Sequence, residues 1–402
     1  MAQPTEVETS RQSSELLSEI ASSEASADED DLEKKHYEEV VAAFKHYRPF
    51  MNLRLHQKRK DFEALPLRHQ LLLPRFVDHL SDVQHCVEHN NEIIKIIVEN
   101  TDSMFVNRDD YNGPEKVSKR SKVNNGVGKL DMEKVLTTVK QFVRDWSQDG
   151  MSERQACYGP IIDEIQRRFP VEECNRDSVR VLVPGAGLGR LAFEIASLGY
   201  SCQGNEFSLF MLFASHFVLN RSVEVDCFTI YPWAHQFSNL RSSSQQIRPV
   251  TIPDTDPSGL REDADFSMVA GDFLEVYKKT AVWDCVATCF FIDTAHNILA
   301  YVETIYKILK PGGFWINLGP LLYHFENTAK EPSIEIAYDV LRQVILDFSF
   351  VMLREETIHT SYLQDQFSML KYEYDCVFFV CQKPLHANET THHTTTKDNE
   401  EQ

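Results

Sequence analysis

Along the first third of the chain, apolar residues recur at helical spacing. Tyr37, Val40, Val41, Phe44 and Tyr47 fall on one face of a helical repeat, which predicts an amphipathic helix from about Glu33. More helices are expected between Asp61 and Glu99. Val135, Leu136, Val139, Phe142, Val143 and Trp146 form another stripe, and Ile161, Ile162 and Ile165 a further one. After Arg176 the period changes. Short apolar runs at 179–184, 201–205, 283–289 and 313–318 read as strands, with helices between them at about 188–198, 208–219 and 296–309. That alternation implies βαβ units and a mostly parallel sheet with helices on both faces. From Tyr231 to Asp265 several prolines and no clear period interrupt the series, as an insertion over one face would. A helix near 334–348, a strand near 350–355, a short helix and a strand at 374–382 complete the pattern, the two strands closing the sheet as an antiparallel edge.

Composition divides the chain further. Residues 1–31 are rich in Ser and acid and poor in large apolar side chains, so they cannot offset their ordering entropy and are expected to be disordered. A helical region then spans 32–175, with a basic, Gly- and Asn-containing loop near 111–129. The loop's Lys119, Arg120 and Lys122 read as a solvated connection in preference to a localisation signal. The sheet domain is expected over 176–384. The tail 385–402 lacks core-forming residues, and its His392 and His393 read as part of a disordered end, not as a metal site.

With 41 basic against 61 acidic side chains, the formal charge is −20, which argues against a general nucleic-acid binder and fits a small or cationic substrate. No apolar run is long enough to cross a bilayer, and the first thirty residues lack a signal-peptide core. The cytosol is therefore the expected location, with the nucleus open. Nine cysteines without paired short spacing read as reduced thiols.

The candidate chemistry begins where the first predicted strand, VRVLV, runs into Pro184-Gly185-Ala186-Gly187-Leu188-Gly189-Arg190 and a helix. Glycines at such a turn let backbone approach a cofactor, and the helix N-terminus offers free N–H groups. Nicotinamide enzymes use a related turn, but their last glycine stands three residues after the second; here it stands two after. The second strand ends in Gly204-Asn205-Glu206, where an acid can accept from both ribose hydroxyls of a nucleoside. In Ala270-Gly271-Asp272-Phe273 the acid suits an adenine amine and the ring its π-face, although a turn acid beside a core Phe is the plainer alternative. Leu309-Lys310-Pro311-Gly312-Gly313 before the strand FWINL is a turn typical of class I methyltransferases. Asp293, after the strand that ends in Cys289, stands where open parallel sheets bind ligands and is the main catalytic candidate. An Asp there could equally cap the helix through Ala300.

Together VPGAGLGRL, GNEFS, AGDF, CFFIDTAHN, LKPGGFWINLGPLLYHFEN and the upstream QFVRDWS resemble the carnosine N-methyltransferase family, over about Tyr37 to Pro384. The resemblance implies a Rossmann-like α/β fold with a seven-stranded sheet and a helical N-terminal region. It implies methyl transfer from S-adenosylmethionine to an imidazole nitrogen of β-alanyl-histidine, and a homodimer. It places cofactor contacts on Gln141, Arg144, Gly185, Glu206, Asp272, Phe273 and Cys289, to which the turn itself adds Gly187. It places substrate contacts on Asp293, His324, Tyr362 and Tyr374; spacing alone would leave Arg144, His324 and the tyrosines unremarkable. Pro184 stands where the commoner methyltransferase turn has an acid, which leaves the methionine end of the cofactor to Arg144. Homocarnosine and other histidine-containing peptides fit the same chemistry, as does histidine within proteins. No metal is implied.

Overall fold

The computed structural model describes residues 32–99, 101, 127–328 and 331–385. The acidic segment 1–31, most of the basic loop near 111–129, and the tail with His392 and His393 lie outside the described residues. The described residues form two compact units, within the following bounds. One comprises Met1–Gly150, Ser208–Ser258 and Leu363–Lys371; the other comprises Met151–Phe207, Gly259–Tyr362 and Tyr372–Gln402.

Among the described residues, nine strands run in chain order as β1 (Arg180–Pro184), β2 (Ser201–Glu206), β3 (Phe228–Ile230), β4 (Val250–Ile252), β5 (Phe266–Ala270), β6 (Trp283–Cys289), β7 (Leu309–Gly319), β8 (Val351–Thr360) and β9 (Tyr374–Gln382). The second unit holds a seven-stranded sheet in the order β5-β2-β1-β6-β7-β9-β8. Strands β5, β2, β1, β6 and β7 pair in parallel, whereas β9 runs antiparallel to both β7 and β8. Alternate side chains of each strand point to opposite faces, so each face builds its own core. Leu182, Val286, Trp315, Phe379 and Cys381 pack with the helices Ile298–Ile308 and Tyr338–Asp347. Val181, Val183, Cys285, Ala287, Ile316, Leu318, Phe378 and Val380 pack with the helices Met151–Arg168 and Arg190–Ser197. The near-continuous apolar runs follow from this, because a sheet covered on both sides has no solvated face.

The first unit is built from helices over 32–45, Tyr47–Glu63, Phe76–Ile97, Lys129–Trp146 and Leu209–Arg221, together with the antiparallel pair β3–β4. The stripe expected at its start is present: Val40, Phe44 and Tyr47 are buried, and Tyr37 and Val41 half-buried. Phe44 packs on Phe210 and Phe142 on Phe217. Asn90 donates to the Tyr47 hydroxyl and to the Tyr231 carbonyl, and accepts from the Tyr231 N–H, so one buried amide satisfies a helix-to-hairpin junction.

Three expectations need correction. The division between helical region and sheet domain does not fall at 175/176: the helix Met151–Arg168 covers the sheet, and Ser208–Ser258 joins the N-terminal helices. Its stripe of Ile161 and Ile165 is a core-facing stripe, which spacing cannot assign to a particular partner. The stretch 231–265, expected to be irregular, carries β4 and the short helix Ser243–Gln246. No helix forms between β8 and β9; β8 runs on to Thr360 instead. No described helix is long and apolar enough to cross a membrane.

Candidate active site

The turn after β1 carries Gly185 and Gly187 at φ of 66° and 56°, in the left-handed region. A Cβ on Gly185 would lie 2.5 Å from Cδ2 of Phe291, so the bare backbone is what lets the turn and the end of β6 approach. The Gly187 N–H donates to Oε2 of Glu206 over 2.8 Å, and the Phe207 N–H donates to Oε1 over 2.9 Å. The acid closing β2 is thereby locked against the glycine turn, through the parallel register that sets Pro184 beside Asn205. Carboxylate oxygens can each accept more than one hydrogen bond, so this placement remains compatible with binding a ribose. An open glycine turn facing an oriented acid fits an adenosyl group.

Asp272 accepts from the N–H groups of Leu274 (2.7 Å) and Glu275 (3.3 Å) through Oδ1, as the N-cap of Phe273–Val276. Its Oδ2 is not used by the cap. Phe273 departs from the reading as an adenine platform. It is 2% exposed and has Phe291 at 5.5 Å and Tyr301 at 5.3 Å, both edge-on, so a purine could reach its face only if a neighbour moved. The plainer alternative, a core Phe, is what the packing shows. Cys289 ends β6, half-buried and paired in register with Leu318 of β7.

After Cys289 the backbone turns sharply. Phe290 adopts a φ of 52°, a left-handed conformation unusual for a bulky residue, and its N–H donates to the Leu318 carbonyl. Gly319 accommodates it, since a Cβ there would stand 3.2 Å from the Phe290 backbone. The Phe290 ring lies 4.8 Å from the ring of Tyr362 and 5.8 Å, edge-on, from that of Tyr374. This strained residue therefore gathers both tyrosines singled out from the sequence beside the segment that leads to Asp293.

Asp293 is 3% exposed, within the short 3-10 turn Ile292–Thr294. It does not cap the next helix: Asn297 does, accepting from the Leu299 N–H. The Asp293 Oδ2 accepts from the Leu322 N–H over 2.9 Å, and its main-chain carbonyl accepts from the His324 N–H over 3.0 Å. Burial pushes its carboxyl up to about 6, with the Leu322 hydrogen bond opposing part of the effect. Burial raises the Tyr374 hydroxyl above its ordinary value, and Cys376, Tyr372 and, last, the Asp293 charge add to the effect. The structure thus brings Gly185, Gly187, Glu206, Asp293, His324, Tyr362 and Tyr374 around the carboxyl ends of β1, β2, β6 and β7. Gln141 and Arg144 belong to the other unit, on Lys129–Trp146. There the Gln141 amide and the Arg144 guanidinium both donate to Asp145, at 3.0 and 2.9 Å. Sequence reasoning passed over Phe290 and the Leu322 N–H. The aromatic doublet before the acid was a visible signal for the first; a main-chain donor leaves none.

Seven strands in this order with a single reversed strand, a glycine turn after the first and an acid closing the second define a class I S-adenosylmethionine-dependent methyltransferase. Within that class the chain belongs to the carnosine N-methyltransferase family, whose model matches residues 121–385. A carnosine N-methyltransferase of Rattus norvegicus is 52% identical over 361 residues, covering 89% of this chain and 88% of that protein. One of Schizosaccharomyces pombe is 41% identical over 371 residues, covering 88% and 96%. A solved SAM-dependent methyltransferase from Aquifex aeolicus is far more distant, at 11% identity and a TM-score of 0.36 over 61% of this chain and 97% of that one.

Proposed function

We propose that this chain transfers a methyl group from S-adenosylmethionine to an imidazole nitrogen of carnosine, giving anserine, with Asp293 as the base. The observation that carries the reading is a buried carboxylate, held by the Leu322 N–H and raised to about 6, two residues after the Phe291 that packs against Gly185 of the glycine turn. Family membership supports carnosine as substrate.

A neutral imidazole has one nitrogen lone pair and one N–H, so methylation requires one tautomer in one orientation. Asp293 accepts a hydrogen bond from the N–H of the ring nitrogen that is not attacked, which fixes both and makes the other nitrogen more basic. The bound cofactor supplies an electrophilic methyl carbon. Alkylation of the nitrogen would leave the ring cationic and the spent cofactor a neutral thioether, and Asp293 would take the ring's remaining N–H proton, restoring a neutral imidazole. A carboxyl near 6 sits close to the ordinary imidazole value of about 6.5, so this transfer is nearly balanced. Tyr362, Tyr374 and His324 orient the dipeptide. Gly185, Gly187, Glu206, Asp272 and Cys289 hold the cofactor.

The test is incubation with labelled S-adenosylmethionine and carnosine, with the product identified by fragmentation. Asp293→Ala is expected to bind the cofactor normally by calorimetry while losing on the order of a hundredfold or more in turnover. Normal turnover in that variant would remove Asp293 from the chemistry. Label found in histidine-containing proteins and absent from carnosine would move the substrate.

A further inference from the structure

His296 lies three residues beyond Asp293 and has no part in the scheme above, yet it is bonded into the same loop on several sides. Its ring stacks on Phe325, with centroids 3.6 Å apart and planes 23° from parallel. Its Nδ1 lies 2.9 Å from the Pro332 carbonyl, and its own carbonyl accepts from the Ile334 N–H. Glu331 stands 3.8 Å from Nε2. The segment held in this way follows β7 and contains Leu322 and His324, the two residues whose N–H groups donate to Asp293. On the far side of the segment the Tyr323 hydroxyl donates to the Ile336 carbonyl and accepts from the Ile336 N–H.

Resting on the proposed reaction, we infer that His296 is a positioning residue: it staples the loop after β7 to the Asp293 turn and so fixes where the Leu322 N–H and the His324 ring stand relative to the carboxylate. Two contacts to Asp293 from a loop are not enough to orient it, because each main-chain hydrogen bond leaves the segment free to pivot. A flat ring stacked on Phe325, with a further bond to Pro332 beyond, removes that pivot. A carbonyl can only accept, so Nδ1 carries a hydrogen and donates it to Pro332. His296 is exposed, and its loss removes little buried surface. The effect is therefore expected in geometry far more than in stability.

The experiment compares wild type with His296→Leu, which loses the polar bond and the flat stack, and Phe325→Ala, which removes the stacking partner. Both should lower kcat/KM for carnosine by about tenfold or more, since small misplacements near reacting atoms are costly. Affinity for S-adenosylmethionine should be unchanged by calorimetry. Amide exchange at Leu322 and His324 should accelerate in both variants without substrate present, and that readout stands apart from the identity of the substrate. Unchanged exchange at those two amides, or faster exchange with unchanged kcat/KM, would overturn the role. A wild type inactive on carnosine would overturn the proposed reaction while leaving the exchange result to judge the staple.

Discussion

At the scale of single residues, the site depends on one side chain kept where water cannot solvate it. Because burial raises the Asp293 carboxyl from 3.8 to about 6, the folded state binds that proton more tightly than the unfolded chain. Stability therefore falls as pH rises from about 4 to about 6, and the deficit, about 3 kcal/mol, persists at neutral pH. Under the proposed reaction activity runs the opposite way, since there only the ionised group takes the imidazole proton. We expect kcat to rise with pH through about 6, and Asp293→Asn to lose turnover while unfolding at higher denaturant concentration than wild type at pH 7.5. A less stable Asn variant would mean that the carboxylate is satisfied in the fold. Gly185 gives a second residue-scale prediction. Its left-handed φ and its approach to Phe291 leave no room for a methyl group, so Gly185→Ala should cost about 1–2 kcal/mol in cofactor affinity or stability. Titration calorimetry beside thermal unfolding apportions that cost.

Among elements, the central pair β6 and β7 carries a polar link inside an apolar sheet. Thr288 and Asn317 face each other in register, both fully buried. The Thr288 hydroxyl donates to Oδ1 of Asn317 at 2.8 Å and accepts from the Trp315 indole N–H at 2.9 Å. Valine at 288 keeps the shape but orphans the indole donor and the amide acceptor. Such losses run to about 1–3 kcal/mol, so Thr288→Val should lower the unfolding free energy by about 2 kcal/mol, with the cofactor affinity of the remaining folded protein unchanged. Urea unfolding measures the first and calorimetry the second. The strands β6 and β7 were legible because both are apolar runs of strand length. Their Thr and Asn were not legible as partners, because register is decided by pairing across the sheet. The same limit hid the position of β9, which inserts between β7 and β8; its apolar run shows a buried strand without showing its neighbours.

For the molecule as a whole, binding should report on folding. A ligand that binds only the folded chain stabilises it by about 2.7 kcal/mol at one hundred times its dissociation constant. S-adenosylmethionine should therefore raise the melting temperature in a concentration-dependent way, and NADH should leave it unchanged, because Glu206 and the glycine turn are proposed to hold an adenosyl sulfonium. A rise with NADH alone would reverse the assignment of the crevice. Organisation at this scale was the least legible of all. A helix that follows β2 with ordinary βαβ spacing, Leu209–Arg221, clusters with the N-terminal helices, and the short segment Leu363–Lys371 does the same. Apolar stripes state that a helix has a buried face and are silent about which core receives it.

What the sequence determined by itself is local: strand and helix periods, the left-handed glycine turn, the acid closing β2, and the acid after β6, each a property of residues close together in the chain. The family resemblance extended this to His324, Tyr362 and Tyr374. Tertiary structure alone decided that Asp293 is buried with its carboxyl raised to about 6, that Asn297 rather than Asp293 caps the following helix, that Phe273 faces the core, and that Phe290 gathers two tyrosines. Those properties depend on solvent exclusion and on contacts between residues far apart along the chain, which neighbouring residues in sequence do not specify.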